Sequence, residues 1–410
     1  MDADAAPHRA GGPHGPALRL LAARGRVVTS RRRILAAAAA ARRGGRAYTL
    51  WPDAGAPMIA ADVAYPPAAE WLRATMVPTL RRLPDAAGWM ALRAGAVLVP
   101  REPGLALEVA ARVAPAGGPV LRVAMYSPSG QAVSKVVCFV FGEGEHEPRL
   151  VVKAIADPRF GWRLHDESAA LEGVRARVAH DAAVAAALPP APSFARQVRG
   201  DVVVAEPFDP LGTATGSGVR GPAMGWLRAF QAASATGARP WSDDEQAEVL
   251  RGVREAWGLA GLGTGDRVAA RVAGLVEALR GVEVPRCAVH GDFWRENVAA
   301  VGGRVRVYDW EWARLDGTAL VDLWTYELAE LRILARAGRP ALEEPLAEAL
   351  YRVAAELRAR GVDDRLAAAT LAPVLGALSF RVRTHLRTGD EMERHSIALM
   401  RAAQQVLERS

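Results

Sequence analysis

Three apolar runs rich in β-branched residues, PVLRVAMYS, VSKVVCFVFG and PRLVVKAI, follow one another with turn signals between them. Short runs of this kind predict a meander of antiparallel strands. The texture then changes. In WRLHDESAALEGVRARVAH, Leu164, Leu171, Val174 and Val178 recur at helical spacing, which predicts one inserted helix. Two further runs, around SFARQVRG and DVVVAEPF, complete a five-stranded sheet. After Pro210 a Gly/Thr/Ser stretch from Gly212 to Gly221 reads as a linker, and helical patterning dominates from there to the end. The one interruption is RCAVHGDFWRENVAAVGGRVRVYDWEWARLDGTALVDL, where two short strand-like runs flank a turn at Gly302-Gly303.

Upstream of the meander, Ala/Arg helical stretches (RRRILAAAAAARR, PAAEWLRATMVPTLRRLP) alternate with short apolar runs (AYTLWP, AGAVLVP). This pattern predicts a small α/β module over residues 1–118, with a disordered Gly/Pro/Ala/His start and no motif that carries chemistry. The sheet then occupies residues 119–210, and a helical region residues 211–410.

Composition narrows the function classes. The chain has 410 residues, enough for two or three cores, and a formal net charge of +7. Its basic residues are spread along helices among glutamates and alanines, without a dense block interleaved with aromatics, so a solvated Arg-rich surface is expected rather than a nucleic-acid partner. Almost every cation is arginine: only Lys135 and Lys153 are lysines, and Asn297 is the single asparagine. Exceptions to so strong a bias mark places where chemistry refuses the default residue. Cys138 and Cys287 lack paired spacing, which predicts structural thiols in a reducing compartment. With no signal-peptide pattern, and an alanine run too short to span a bilayer, a cytoplasmic protein with no membrane partner is expected.

The interruption holds the candidate chemistry. Phosphoryl transfer needs a carboxylate for the acceptor hydroxyl, oxygen ligands for magnesium, a cation on the nucleotide phosphates and amides that cover them. Asp292 follows a His-Gly turn, Asn297 lies five residues on, and Asp309 closes the run RVRVYD. If the two strand-like runs pair as a hairpin, Asn297 and Asp309 fall at the same edge and can share a metal, while Asp292 faces the acceptor. A neutral amide oxygen is a hard ligand that adds no further negative charge.

HGDFWREN followed by VYDWE resembles the paired signature of the aminoglycoside phosphotransferase and choline kinase superfamily, over the chain from Leu121 onward. The resemblance implies an α+β, bilobal protein-kinase-like fold: an antiparallel five-stranded lobe, then a mostly helical lobe, here preceded by the α/β module. It implies that Asp292 is the catalytic base, that Asn297 and Asp309 bind Mg2+, that His290 braces the loop and that Asp322 in LVDL is structural. Lys153, closing the strand RLVVK, takes the place of the lysine on the nucleotide phosphates, where a compact ammonium fits and a planar fork does not. Its expected partner is Glu167, nearer the buried stripe, with Glu172 as the alternative. Ser127, Ser129 and Gly130 in the first turn would cover phosphate, although their single glycine departs from a Gly-rich loop and an ordinary hairpin turn reads as well. AEPFDP stands where a hinge binds adenine, through backbone groups from Glu206 to Phe208. Trp294 and Glu311 are open between packing and contact with the acceptor.

The implied activity is transfer of the γ-phosphate of ATP, or alternatively GTP, to a hydroxyl of an aminoglycoside, sugar, amino alcohol or related metabolite. Acidic candidates for a cationic acceptor are scattered, at Asp390, Glu391 and Glu393. A protein kinase is disfavoured, because too little chain lies between Asp309 and Asp322 for an activation segment. The competing class is a catalytically silent kinase fold serving as a binding or regulatory module. Oligomeric state is left open.

Overall fold

The computed structural model describes residues 20–28, 46–51, 59–62, 65–75, 96–113, 121–127, 135–155, 157–210, 219–262, 265–336, 343–387 and 394–409. The chain divides into two compact units, Met1–Asp166 with Pro190–Thr213, and Glu167–Pro189 with Ala214–Ser410.

The first unit is built on one antiparallel sheet. Its strands are β1 (Ala22–Val28), β2 (Tyr48–Trp51), β3 (Ile59–Asp62), β4 (Ala96–Pro103), β5 (Leu121–Tyr126), β6 (Lys135–Gly142), β7 (Leu150–Ile155), β8 (Phe194–Val198) and β9 (Asp201–Pro207), in the order β1-β4-β2-β3-β5-β6-β7-β9-β8. All five strands expected from the sequence form, but the sheet has nine among the described residues. The strands before residue 118 extend it instead of forming a module apart: Ile59 lies opposite Tyr126 and Ala61 opposite Ala124. The physical reason is that β5 needs a partner on its free edge. Buried backbone groups left unpaired there would each cost about 1–3 kcal/mol.

Period-two alternation supplies both faces of this sheet. Val123, Met125, Val136, Cys138 and Val140 point to one side, where they form a core with helix α2 (Leu105–Val113). Ala124, Phe139 and Phe141 point to the other, under helix α1 (Pro66–Thr75). There the Trp71 ring sits 4.5 Å from Phe139 and 5.5 Å from Phe208. Burying a side chain such as Phe141 stabilises by roughly 2 kcal/mol, so both helices are held by the strands they cover.

Helices dominate the second unit: α3 (Trp162–Val178, entering from the first unit), α4 (Ala182–Ala185), α5 (Arg220–Ala233), α6 (Asp243–Leu259), α7 (Gly265–Ala278), α8 (Leu320–Arg336), α9 (Glu343–Ala359), α10 (Leu371–Arg387) and α11 (Arg394–Arg409). They surround a three-stranded sheet, β10 (Gly237–Arg239), β11 (Val284–Val289) and β14 (Arg314–Thr318), and a hairpin of β12 (Val298–Val301) with β13 (Arg304–Val307). Ser242 starts α6 with a capping box, its hydroxyl on the Glu245 amide and the Glu245 carboxylate on its own. Asp364–Thr384 is long and apolar enough to cross a membrane. Leu371, Val374, Leu375, Leu378 and Val382 explain that composition: they lie in the core of this unit.

Cys138 and Cys287 are buried free thiols. The Arg31–Arg33 and alanine segment, most of the Gly212–Gly221 stretch, Ser129, Gly130, Asp390, Glu391 and Glu393 lie outside the described residues.

Candidate active site

Strand β11 delivers the chain into the turn His290-Gly291-Asp292, and a buried carboxylate from the start of α8 fixes that turn. Asp322 accepts the His290 amide at 2.7 Å and the Gly291 amide at 2.8 Å. Burial raises the Asp322 carboxyl above its ordinary range, although the two amide hydrogen bonds favour its charged form. His290 is itself fully buried. Its Nδ1 accepts the Asp292 amide at 3.2 Å, so the ring proton sits on Nε2, which donates to the Tyr308 carbonyl at 2.7 Å. The imidazole thus ties the turn to the chain that leads into Asp309. Gly291 has φ +79°, and a Cβ there would collide with the Trp312 carbonyl.

The hairpin forms around Gly302-Gly303 as the sequence predicts, with Val298 opposite Val307 and Val301 opposite Arg304. Pairing continues one step past the strands, where the Tyr308 amide donates to the Asn297 carbonyl at 2.9 Å. Asn297 and Asp309 therefore meet at one end of the hairpin. Asp309 has φ +65°, a left-handed conformation that few residues other than glycine adopt. Asn297 turns its Nδ2 toward Asp292, donating to the carbonyl at 2.9 Å and to Oδ2 at 3.1 Å.

The other oxygen of Asp292 is held by a residue that sequence reasoning missed. Arg381, on α10, donates from Nη1 to Asp292 Oδ1 at 2.7 Å, with both side chains buried. The same nitrogen lies 3.3 Å from the Gly291 carbonyl, and the guanidinium carbon sits 5.0 Å from the centre of the Trp312 ring. No local signal could have found it, since one arginine on one Arg-rich helix looks like the next.

In the first unit Lys153 lies on β7 opposite Val204. Its ammonium is 2.5 Å from Glu206 Oε1. The sequence reading assigned Glu206 to adenine through its backbone, whereas here its carboxylate holds the lysine. Antiparallel register explains this, because Glu206 is two residues beyond Val204 and shares its face. The Phe208 amide, also expected at adenine, donates to the Arg149 carbonyl at 2.9 Å. The sheet has already taken that donor. Ser127 is buried just past β5, Glu167 is buried on α3, and Glu172 is exposed, as its place off the stripe predicts.

Magnesium, which the resemblance implies, fits the donors present. With its Nδ2 committed to Asp292, Asn297 turns its amide oxygen away from that carboxylate, and Asp309 adds an anionic oxygen at the same end of the hairpin. One or two protein oxygens suffice for an ion that completes its shell with phosphates and water. Among the described residues no group of three or more His, Cys, Asp or Glu is placed to hold a metal ion.

A cleft of about 170 Å³ in the second unit opens beside the His290-Gly291-Asp292 turn. Gly291, Arg381 and Trp312 form its inner wall, and α6, β14 and α10 its sides. Trp312 is anchored by its indole, which donates to Glu311 at 3.0 Å. Trp294 packs against the core, with the Arg332 guanidinium carbon 5.7 Å from its ring centre.

No protein-family model and no curated protein matches the chain. Solved structures do resemble it. A glucosamine kinase is 17% identical and aligns over 73% of this chain and 97% of its own, with a TM-score of 0.36. A thermostable mutant of aminoglycoside phosphotransferase APH(4)-Ia is 18% identical over 70% and 94%, with a TM-score of 0.41. The same enzyme in a ternary complex with ADP and hygromycin B is 17% identical over 69% and 93%, with a TM-score of 0.42. Likeness at this level assigns no substrate to this chain.

Proposed function

We propose that this protein is an ATP-dependent small-molecule kinase that transfers the γ-phosphate to a hydroxyl. The observation that carries the reading is the fixed carboxylate of Asp292. One oxygen is held by Arg381 and the other by the amide of Asn297, while the hairpin brings Asn297 and Asp309 to one end.

Asp292 orients the acceptor hydroxyl and takes its proton. The hydroxyl oxygen bonds to the γ-phosphorus, the bond from that phosphorus to the bridging oxygen breaks, and ADP leaves with the electron pair. A carboxylate paired with arginine is a weak base, which suits a loose transition state in which the proton moves late. Asn297 and Asp309 hold Mg2+, whose part is to neutralise charge on the nucleotide phosphates. Lys153, steadied by Glu206, binds nucleotide phosphate. The cleft walled by Gly291, Trp312 and Arg381 receives the acceptor, because it adjoins the turn that carries Asp292.

Calorimetric titration of ATP and GTP, with and without magnesium, into wild type and Asp309→Ala tests this reading. Magnesium-dependent binding in wild type that disappears in the variant is the expected result. Failure of wild type to bind either nucleotide would instead match a silent kinase-fold module.

A further inference from the structure

The walls of the acceptor cleft carry charges of both signs, and their pairing decides which acceptor they suit. Three carboxylates line it, from Glu245, Glu248 and Asp316. Each already has an arginine. Glu245 is 2.9 Å from Arg239 and 3.0 Å from Arg286, Glu248 is 2.5 Å from Arg383 and also meets Arg251, and Asp316 is 3.3 Å from Arg239. A polycationic acceptor entering here would have to compete with five existing ion pairs.

Arg314 stands differently. It lines the same cleft from β14, and among the described residues no carboxylate lies within ion-pair distance of it. Its guanidinium carbon lies 4.7 Å from the centre of the Phe380 ring, which meets the Trp312 ring nearly edge-on at 6.4 Å. The residue is exposed, and the protein packed to one side of the guanidinium moves its pKa down from the ordinary arginine value. An exposed cation that lines a cleft, lies on an aromatic face and has no carboxylate partner among the described residues is placed to receive an oxyanion. Its planar fork can meet a carboxylate or phosphate with charge-assisted, bidentate hydrogen bonds while its face stays on the Phe380 ring.

We infer that the acceptor is a hydroxyl compound carrying an oxyanion, a carboxylate or a phosphate, which Arg314 binds in the cleft beside Asp292. This rests on the kinase reading for the identity of the bound compound as acceptor, though the binding itself does not depend on it.

The test is calorimetric titration of D-gluconate, glucose 6-phosphate, D-glucose and D-glucosamine, without nucleotide, into wild type, Arg314→Met and Arg314→Lys. At least one anionic probe should bind about ten-fold or more tightly than glucose and glucosamine. Which of the two wins separates carboxylate from phosphate as the recognised group. Arg314→Met should erase the preference, and Arg314→Lys should keep part of it. Tighter binding of glucosamine, no binding of either anion, or an unchanged preference in a folded Arg314→Met would overturn the inference. Magnesium and ATP are titrated into the same samples. Anion binding without nucleotide binding would leave the oxyanion site standing and remove the kinase reading, and the converse result would do the reverse.

Discussion

Arg381 and Asp292, 89 positions apart, form a buried ion pair at 2.7 Å that joins helix α10 to the His290-Gly291-Asp292 turn. Breaking such a pair leaves one charge buried without a partner, at a cost of about 3–5 kcal/mol, whereas a conservative change keeps the charge and loses only geometry. Arg381→Gln is therefore expected to lower kcat by about 100-fold through loss of the Asp292 orientation, with the KM for ATP little changed. Arg381→Lys should recover part of kcat. Steady-state assay of ADP release across both variants checks this, and an unchanged kcat in Arg381→Gln would remove Arg381 from the machinery.

Gly291 and Gly303 share φ +79°, yet their surroundings differ. A Cβ on Gly303 meets open space, while one on Gly291 meets the Trp312 backbone. Gly303→Ala should cost about 1 kcal/mol, the conformational penalty alone. Gly291→Ala adds a steric clash with backbone that cannot rotate away, so it should cost at least about 2 kcal/mol more. Urea denaturation of the two variants gives the difference directly, and equal losses would show that the turn can shift.

What the chain reveals by itself is local. The alternation in β5, β6 and β7, the Gly302-Gly303 hairpin and the His290-Gly291-Asp292 turn were legible because each pattern is contained in a dozen residues. Glu167, expected as the partner of Lys153 from its distance to Leu164 and Leu171, is buried on α3, and the ion pair at Lys153 is with Glu206. The pairing of β3 with β5 was not legible, because register across some sixty residues leaves no mark on periodicity. Neither was the Lys153–Glu206 pair, which depends on the order of strands in the sheet. Arg381 and Arg314 were hidden by the same bias that made Asn297 conspicuous: in a chain that uses arginine for nearly every cation, an arginine with a function looks like any other.

Asp309 pays in stability for its position. At φ +65° its Cβ crowds the backbone, a strain that glycine lacks. Asp309→Gly is expected to equal wild type in stability or exceed it by up to about 1 kcal/mol, while losing magnesium-dependent nucleotide binding. Asp309→Ala should be destabilised, since it keeps the strain without the carboxylate. Thermal unfolding of the two variants beside a nucleotide titration separates backbone strain from metal binding, and a Gly variant less stable than the Ala variant would contradict the strain assignment.

Glu245 gives a pH dependence with a definite sign. Burial works against its ionisation, but the Arg239 guanidinium, the Ser242 amide and Arg286 outweigh it and hold the carboxyl at about 2, below the ordinary 4.5. A group depressed in the folded state releases its proton more readily there than in the unfolded chain, so its contribution is complete above about pH 4.5 and disappears as pH falls toward 2. Glu245→Gln keeps the shape and part of the capping box but removes the charge. The variant should therefore be less stable than wild type at pH 7, and the gap should close as acid is added. Urea denaturation at pH 7, 5 and 3 measures it. A gap that persists unchanged at pH 3 would mean that the pairing with Arg239 and Arg286 contributes no ionic stabilisation, and that packing and hydrogen bonds alone hold the start of α6 against β10 and β11.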